Sequence, residues 1–168
     1  NIPDNFIAYP VNFADRVFEK IFHQHGPFEI VANFAAHKHV RSEKDIFSIE
    51  AMFENNVLRI RKLLDLLLEF PPEHFFCVST DKAANPVNIM GASKKLMEEL
   101  IMAYSDRLPI KTARFANVAF SNGSLLSGFL ERLNKNQPWS CPIGIRRYFV
   151  SPQESGELCL MASIMGES

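Results

Sequence analysis

Two short runs in the 168-residue chain gather side chains able to do acid–base chemistry. The first is Ser79-Thr80-Asp81-Lys82, which follows directly on the apolar run His74-Phe-Phe-Cys-Val78. A hydroxyl, a carboxylate and an amine leaving a buried strand together could move protons at a bound ligand. The same residues could equally form a polar turn in which Asp81 caps a helix. The second run is Met90-Gly-Ala-Ser-Lys94. Met90 and Lys94 are four apart and share a helix face. Lys94 could then hold a ribose hydroxyl while its charge tunes a neighbouring acid or base; taken alone, it would be a solvated lysine beside Lys95. His37 and His39 stand at strand-like spacing without a third ligand, so structural imidazoles are expected there and no metal site.

The elements that must position these runs alternate between extended and helical patterns, which argues for an α/β layered fold. Phe6–Val11, Phe28–Phe34, His74–Val78 and Lys111–Phe115 read as strands. Ala14–His25 reads as a helix stopped by Gly26-Pro27. Asp45–Phe70 carries Phe53, Val57, Ile60, Leu64 and Leu67 at spacings of three or four and ends at Pro71-Pro72, so a long helix is expected. Met90–Arg107 and Leu125–Leu133 are further helices. Ser151-Pro-Gln-Glu154 is a capping box that opens a last helix, expected to end near Gly166. Such a series makes a parallel sheet whose binding crevice lies at the carboxyl ends of the strands. Three polar, small-residue segments fall there: Ala35–His39, Ser79–Lys82 and Ala116–Ser124.

Composition narrows the function. The chain is 47% hydrophobic and 22% charged, with a formal net charge of -1, enough for one core-forming unit. The neutral balance lacks the basic stripe of a general nucleic-acid binder. The longest apolar run, Ile60–Phe70, is broken by Arg61, Lys62, Asp65 and Glu69, so no membrane segment is expected. Cys77, Cys141 and Cys159 suggest neither disulfides nor zinc, in keeping with a cytoplasmic setting.

The run from Ser79 to Lys94 resembles the signature of nucleotide-sugar 4,6-dehydratases, within the extended short-chain dehydrogenase/reductase superfamily. Asn33–Val40, Asn55-Asn-Val57, Arg114–Val118 and Arg147-Tyr-Phe149 match further blocks in the family's order, and the branch acting on UDP-N-acetylglucosamine in bacterial surface-polysaccharide synthesis fits best. The resemblance implies a Rossmann-like doubly wound parallel sheet over residues 1–168 and a tightly bound, recycled NAD or NADP. It also implies oxidation at C4 of a UDP-sugar, loss of water across C5 and C6, and hydride return to C6. Two departures stand out. Met90 occupies the position of the superfamily's catalytic tyrosine, as in a subset of these dehydratases thought to retain configuration at C5. No glycine-rich phosphate-binding turn occurs in the chain. The expectation is an internal fragment, lacking the N-terminal glycine-rich βα unit and most of the C-terminal substrate region.

The resemblance also distributes roles. Thr80 would hydrogen-bond the C4 oxygen, Asp81 would protonate the departing hydroxyl, and Lys82 would take the C5 proton. To do so near neutral pH, Asp81 must carry a proton and Lys82 must give one up. A direct Asp81–Lys82 ion pair would oppose both. Lys94 would bind the nicotinamide ribose and stabilise developing negative charge. Ala35, Ala36 and Lys38 match the segment running along the cofactor. Ser79 is a weaker cofactor candidate. Asn56 matches a position near the cofactor, or is a buried polar contact within a helix. Asn117, Ser121 and Ser124 match the loop against the sugar nucleotide, Gly123 serves a turn, and Arg147 suits a diphosphate. Helices 45–70 and 90–107 resemble the pair that builds a homo-oligomer interface, although such apolar stripes could cover only the sheet. Two alternatives stay open: a nucleotide-sugar 4-epimerase, which needs no elimination pair, and a non-catalytic sugar-nucleotide-binding or assembly module.

Overall fold

A computed structural model describes residues 3–38, 43–141, 143–144 and 146–165. Three parallel strands, β1 (Ile30–Asn33), β2 (His74–Thr80) and β3 (Ile110–Phe115), pair in the order β1-β2-β3. Ile30 stands opposite His74, and Phe75 opposite Ile110. Helix α1 (Arg16–His25) precedes β1. The crossover to β2 contains α2 (Ile46–Phe53), a π-helical turn (Glu54–Leu58) and α3 (Arg59–Glu69). Helix α4 (Ile89–Met102) carries the chain from β2 to β3. Beyond the sheet come β4 (Asn117–Val118), α5 (Leu125–Asn134), β5 (Phe149–Val150) and α6 (Pro152–Met165), with β4 and β5 paired in parallel.

Strand alternation sorts β2 onto two faces. Phe75 and Cys77 join Ile60, Leu64, Leu67, Met97 and Ile101 in a core between the sheet and α1, α3 and α4. Phe76 lies on the opposite face against the Phe34 ring, at 5.7 Å between centroids. On that side α6 packs over β2 and β3, and Lys111 donates to the Ile164 carbonyl at 3.2 Å. Helices on both faces of a parallel sheet make this a Rossmann-type α/β fold.

The helices begin where short polar side chains receive their first free N–H groups. The Asp45 carboxylate accepts from Ser48 N–H, the Asn88 amide oxygen from Gly91 N–H, and the Ser124 hydroxyl from Ser127 N–H. At α6 both bonds of the capping box form: Glu154 N–H donates to Ser151 Oγ at 3.1 Å, and Ser151 N–H to Glu154 Oε2 at 2.7 Å. Gly166 lies outside the described residues.

Four expectations need correction. Phe6–Val11 is not a strand: Val11 N–H bonds back to Tyr9 C=O in a tight turn, and Pro10 has no N–H to give a ladder. The long helix over 45–70 is interrupted by the π turn. Its extra residue shifts the buried face, so Met52 and Asn56 go inside rather than Phe53 and Val57. The helix from Met90 stops at Met102; Tyr104, Ser105 and Arg107 close tighter three-residue turns instead. Strand β2 runs through Ser79 and Thr80, which pair with Arg114 and Phe115, so the polar run starts inside the sheet.

Candidate active site

An open cleft of about 900 Å³ lies at the carboxyl ends of the three strands. Its floor is the end of β2 with Met90 and Lys94 of α4. One wall is Phe34 and Ala36–Lys38 after β1, and the other is formed by residues 115–118, the turn 121–124 and α5. Arg147 and Phe149 close one side. Among the residues singled out from sequence, Ala36, Lys38, Ser79, Thr80, Lys82, Met90, Lys94, Asn117, Ser121, Ser124 and Arg147 all line this cleft. Ala35, Asn56 and Asp81 do not. His37 lines it as well, and His39 lies outside the described residues.

Lys94 is almost wholly buried, at 5% exposure. Its ammonium donates to the Val78 carbonyl at 2.8 Å and to Met97 Sδ at 3.1 Å. Burial drives its pKa below the ordinary lysine value, only partly offset by nearby Cys77 and Glu98. Met90, at 4% exposure, presents to the cleft a thioether, which can neither give nor take a proton.

Lys82 leaves the sheet on a single 3-10 turn (Asp81–Ala83), whose first N–H groups the Thr80 hydroxyl helps to cap. Lys82 Nζ pairs with Asp81 Oδ1 at 3.1 Å and reaches Asn117 Oδ1 at 3.4 Å. Thr80 Oγ1 also donates to Asp81 Oδ1, at 3.0 Å. Asp81 is thus the common acceptor of its two neighbours, and its side chain is 49% exposed. The ion pair that would oppose proton transfer by both residues is present.

Ser79 reaches the cleft, but its hydroxyl is given to Glu98 Oε1 at 2.6 Å. Arg114 grips the same carboxylate from β3, at 2.8 and 2.6 Å. Burial pushes Glu98 upward, yet the hydrogen bonds from Arg114 and Ser79 together with the Arg114 charge outweigh it, and the carboxyl lies below its ordinary value. Asn56 stands behind the wall, not in it. Its amide accepts from His37 N–H at 2.8 Å and donates to His37 C=O at 3.0 Å and to Ser93 Oγ at 3.1 Å. Ser124 caps α5, and Gly123, with φ 72°, makes the turn before it.

Three contributors escaped the sequence reading. Glu43 accepts the Met90 N–H at 2.8 Å, fixing the first turn of α4 from a distant segment. Glu131 lines the cleft from α5. Gly91 lets α4 approach the turn that carries Lys82: a Cβ there would sit 2.7 Å from the Lys82 carbonyl oxygen. Only Gly91 stood within a recognisable motif; Glu43 and Glu131 carry no local signal.

Residues 10–168 match the family described as polysaccharide biosynthesis protein. The chain belongs to that family. A relative, the probable polysaccharide biosynthesis protein EpsC of Bacillus subtilis, is 30% identical over 141 residues, which cover 82% of this chain and 23% of EpsC. The chain therefore spans about a quarter of that relative's length. Among solved structures, UDP-glucose 4-epimerase of Thermotoga maritima superposes with a TM-score of 0.83 at 20% identity, covering 97% of this chain and 60% of that one. DesIV, a dTDP-glucose 4,6-dehydratase of Streptomyces venezuelae solved with NAD, gives 0.78 at 18% identity over 94% and 54%. At such identities the likeness speaks for the fold. In this member of the family, no helix among the described residues is long and apolar enough to cross a membrane.

Proposed function

We propose that this polysaccharide-biosynthesis chain is the catalytic part of a nucleotide-sugar 4,6-dehydratase, acting on UDP-N-acetylglucosamine. The observation that carries the reading is convergence: Thr80, Lys82, Met90 and Lys94 meet on one cleft floor at the strand ends, with Lys94 almost wholly buried.

The cleft also fits a nicotinamide cofactor, NAD or NADP. Small Ala36 leaves room beside the β1 end, and Lys38 and Lys94 offer donors to phosphate and ribose oxygens. Bound there, the nicotinamide would accept hydride from C4 of the sugar and return it at C6. The remaining tasks fall to side chains of the chain. Thr80 orients the C4 oxygen, whose hydroxyl proton leaves through Thr80, Lys94 or a water as the ketone forms, because the Met90 thioether cannot accept it. Lys82, held toward the cleft by Asn117, takes the C5 proton, and Asp81 delivers a proton to the C6 hydroxyl as it leaves as water. Lys94 binds ribose and stabilises negative charge. Asn117, Ser121 and Ser124 hold the sugar nucleotide, and the Arg147 fork takes diphosphate oxygens. Two copies would associate through α2, the π turn, α3 and α4, where Ile46, Phe47, Leu58 and Leu96 are exposed.

A second reading, a nucleotide-sugar 4-epimerase, draws on one observation. Asp81 is tied to Thr80 and Lys82 outside the cleft lining, and an epimerase needs no elimination acid. Full-length protein incubated with UDP-N-acetylglucosamine and NAD in heavy water separates the two. A product lighter by one water, with deuterium at C5, establishes the dehydratase. An unchanged mass with inversion at C4 establishes the epimerase.

A further inference from the structure

The α5 side chains of the cleft wall have no part in the chemistry above. Leu125, Gly128 and Glu131 follow one another at three-residue intervals along α5, and all three line the cleft. Gly128 sits in the middle of a ten-residue helix, where glycine is among the least favourable choices. Packing does not demand it: a Cβ at Gly128 would meet nothing within 4 Å. Space in front of that backbone is therefore open on the cleft side, at a cost in helix stability. Glu131, one turn further, is the one carboxylate among the described residues lining the cleft, which otherwise presents Lys38, Lys82, Lys94 and Arg147. It makes no ion pair with a described residue. A carboxylate repels phosphate and accepts only from hydroxyl or N–H donors.

We infer that Gly128 and Glu131 determine nucleoside specificity: the nucleoside lies flat against the bare helix backbone at Gly128, and Glu131 accepts hydrogen bonds from its ribose hydroxyls. The position supports this part of the ligand over the reacting sugar. The proposed chemistry is centred on the cleft floor at β2 and α4, whereas Gly128 and Glu131 stand on the wall that α5 forms. The inference rests on the nucleotide-sugar reading of the cleft.

Calorimetric titration of the full-length protein with UDP and with 2′-deoxy-UDP tests it, alongside thermal melts of each variant. Gly128→Ala should raise Tm by about 2–4 °C, because helix propensity improves and nothing clashes. Gly128→Leu should fold as well as wild type yet bind UDP about tenfold or more weakly, since its side chain fills the nucleoside's place. Glu131→Gln should lose most of the preference for UDP over 2′-deoxy-UDP, a preference of about tenfold for a hydroxyl held by a charged acceptor. Unaltered UDP affinity in Gly128→Leu, or unaltered discrimination in Glu131→Gln, overturns the inference while leaving the nucleotide-sugar reading intact. A wild-type protein that binds neither nucleotide overturns both.

Discussion

Asn56 closes a two-bond ring with the backbone of His37, accepting its N–H at 2.8 Å and donating to its carbonyl at 3.0 Å. A residue at 1% exposure inside a π turn thereby fixes the course of the cleft wall at Ala36–Lys38. Asn56→Leu keeps the branched shape at a somewhat larger volume and removes both bonds and the one to Ser93, leaving the His37 backbone groups without their partner. A loss of about 1–3 kcal/mol in chemical denaturation is expected, with weaker binding of NAD measured by titration. Unchanged cofactor affinity would detach Asn56 from the site.

Gly91 sets how closely α4 approaches the turn that carries Lys82. A methyl at position 91 would lie 2.7 Å from the Lys82 carbonyl and 3.1 Å from the Asn88 side-chain oxygen. Gly91→Ala should therefore push the turn outward, lowering stability by about 1–3 kcal/mol and kcat by roughly 10- to 100-fold through misplacement of Lys82. A kinetic comparison with KM measured separately checks it; a variant with wild-type kcat contradicts the geometry.

Glu98 should make stability acid-sensitive. Its carboxyl lies below the ordinary 4.5 in the folded state, so its contribution is complete above that value and is lost as pH falls through the folded one. Glu98→Gln should cost about 1–3 kcal/mol at pH 7, less than a fully buried pair because the Arg114 side chain is partly in solvent. The gap between variant and wild type should narrow below pH 4.5. Urea titrations across that range would show the convergence.

Lys94 carries the opposite sign. Burial depresses its pKa, so the folded protein binds fewer protons than the unfolded chain between the folded value and the ordinary 10.5. Stability from this group therefore rises with pH across that window and is lowest beneath it. Lys94→Met should remove that rise, be at least as stable as wild type at neutral pH, and abolish turnover. Melts in alkaline buffers paired with an activity assay test both halves.

Asp81 divides the two enzymatic readings. Asp81→Asn keeps a side chain able to meet Thr80 and Lys82 but cannot deliver a proton to a leaving hydroxyl. Loss of water from the substrate should fall by about 10²- to 10⁴-fold, with UDP-N-acetylglucosamine affinity retained. Wild-type turnover in this variant would remove Asp81 from the chemistry.

The sequence alone determined whatever depends on short-range pattern. Apolar runs bounded by breakers marked β2 and β3, the Ser151–Glu154 box marked the start of α6, and the order of strands and helices implied a parallel sheet with its crevice at the strand ends. The spacing of Met90 and Lys94 put both on one face, and both line the cleft. Phe6–Val11 misled because local apolarity cannot reveal whether a partner strand exists. Tertiary structure decided the rest, since it depends on contacts between distant segments. Only the fold shows that Glu43 meets the Met90 N–H, that Asn56 reaches the His37 backbone through a π turn, and that Glu131 faces the cleft. The register of β2 on β3 sets Ser79 beside Arg114, and both donate to Glu98, while Asp81, two residues on, stays at the surface. The partners of Ser79, Asn56 and Met90 come from separate strands, helices and loops, and no spacing along the chain encodes them.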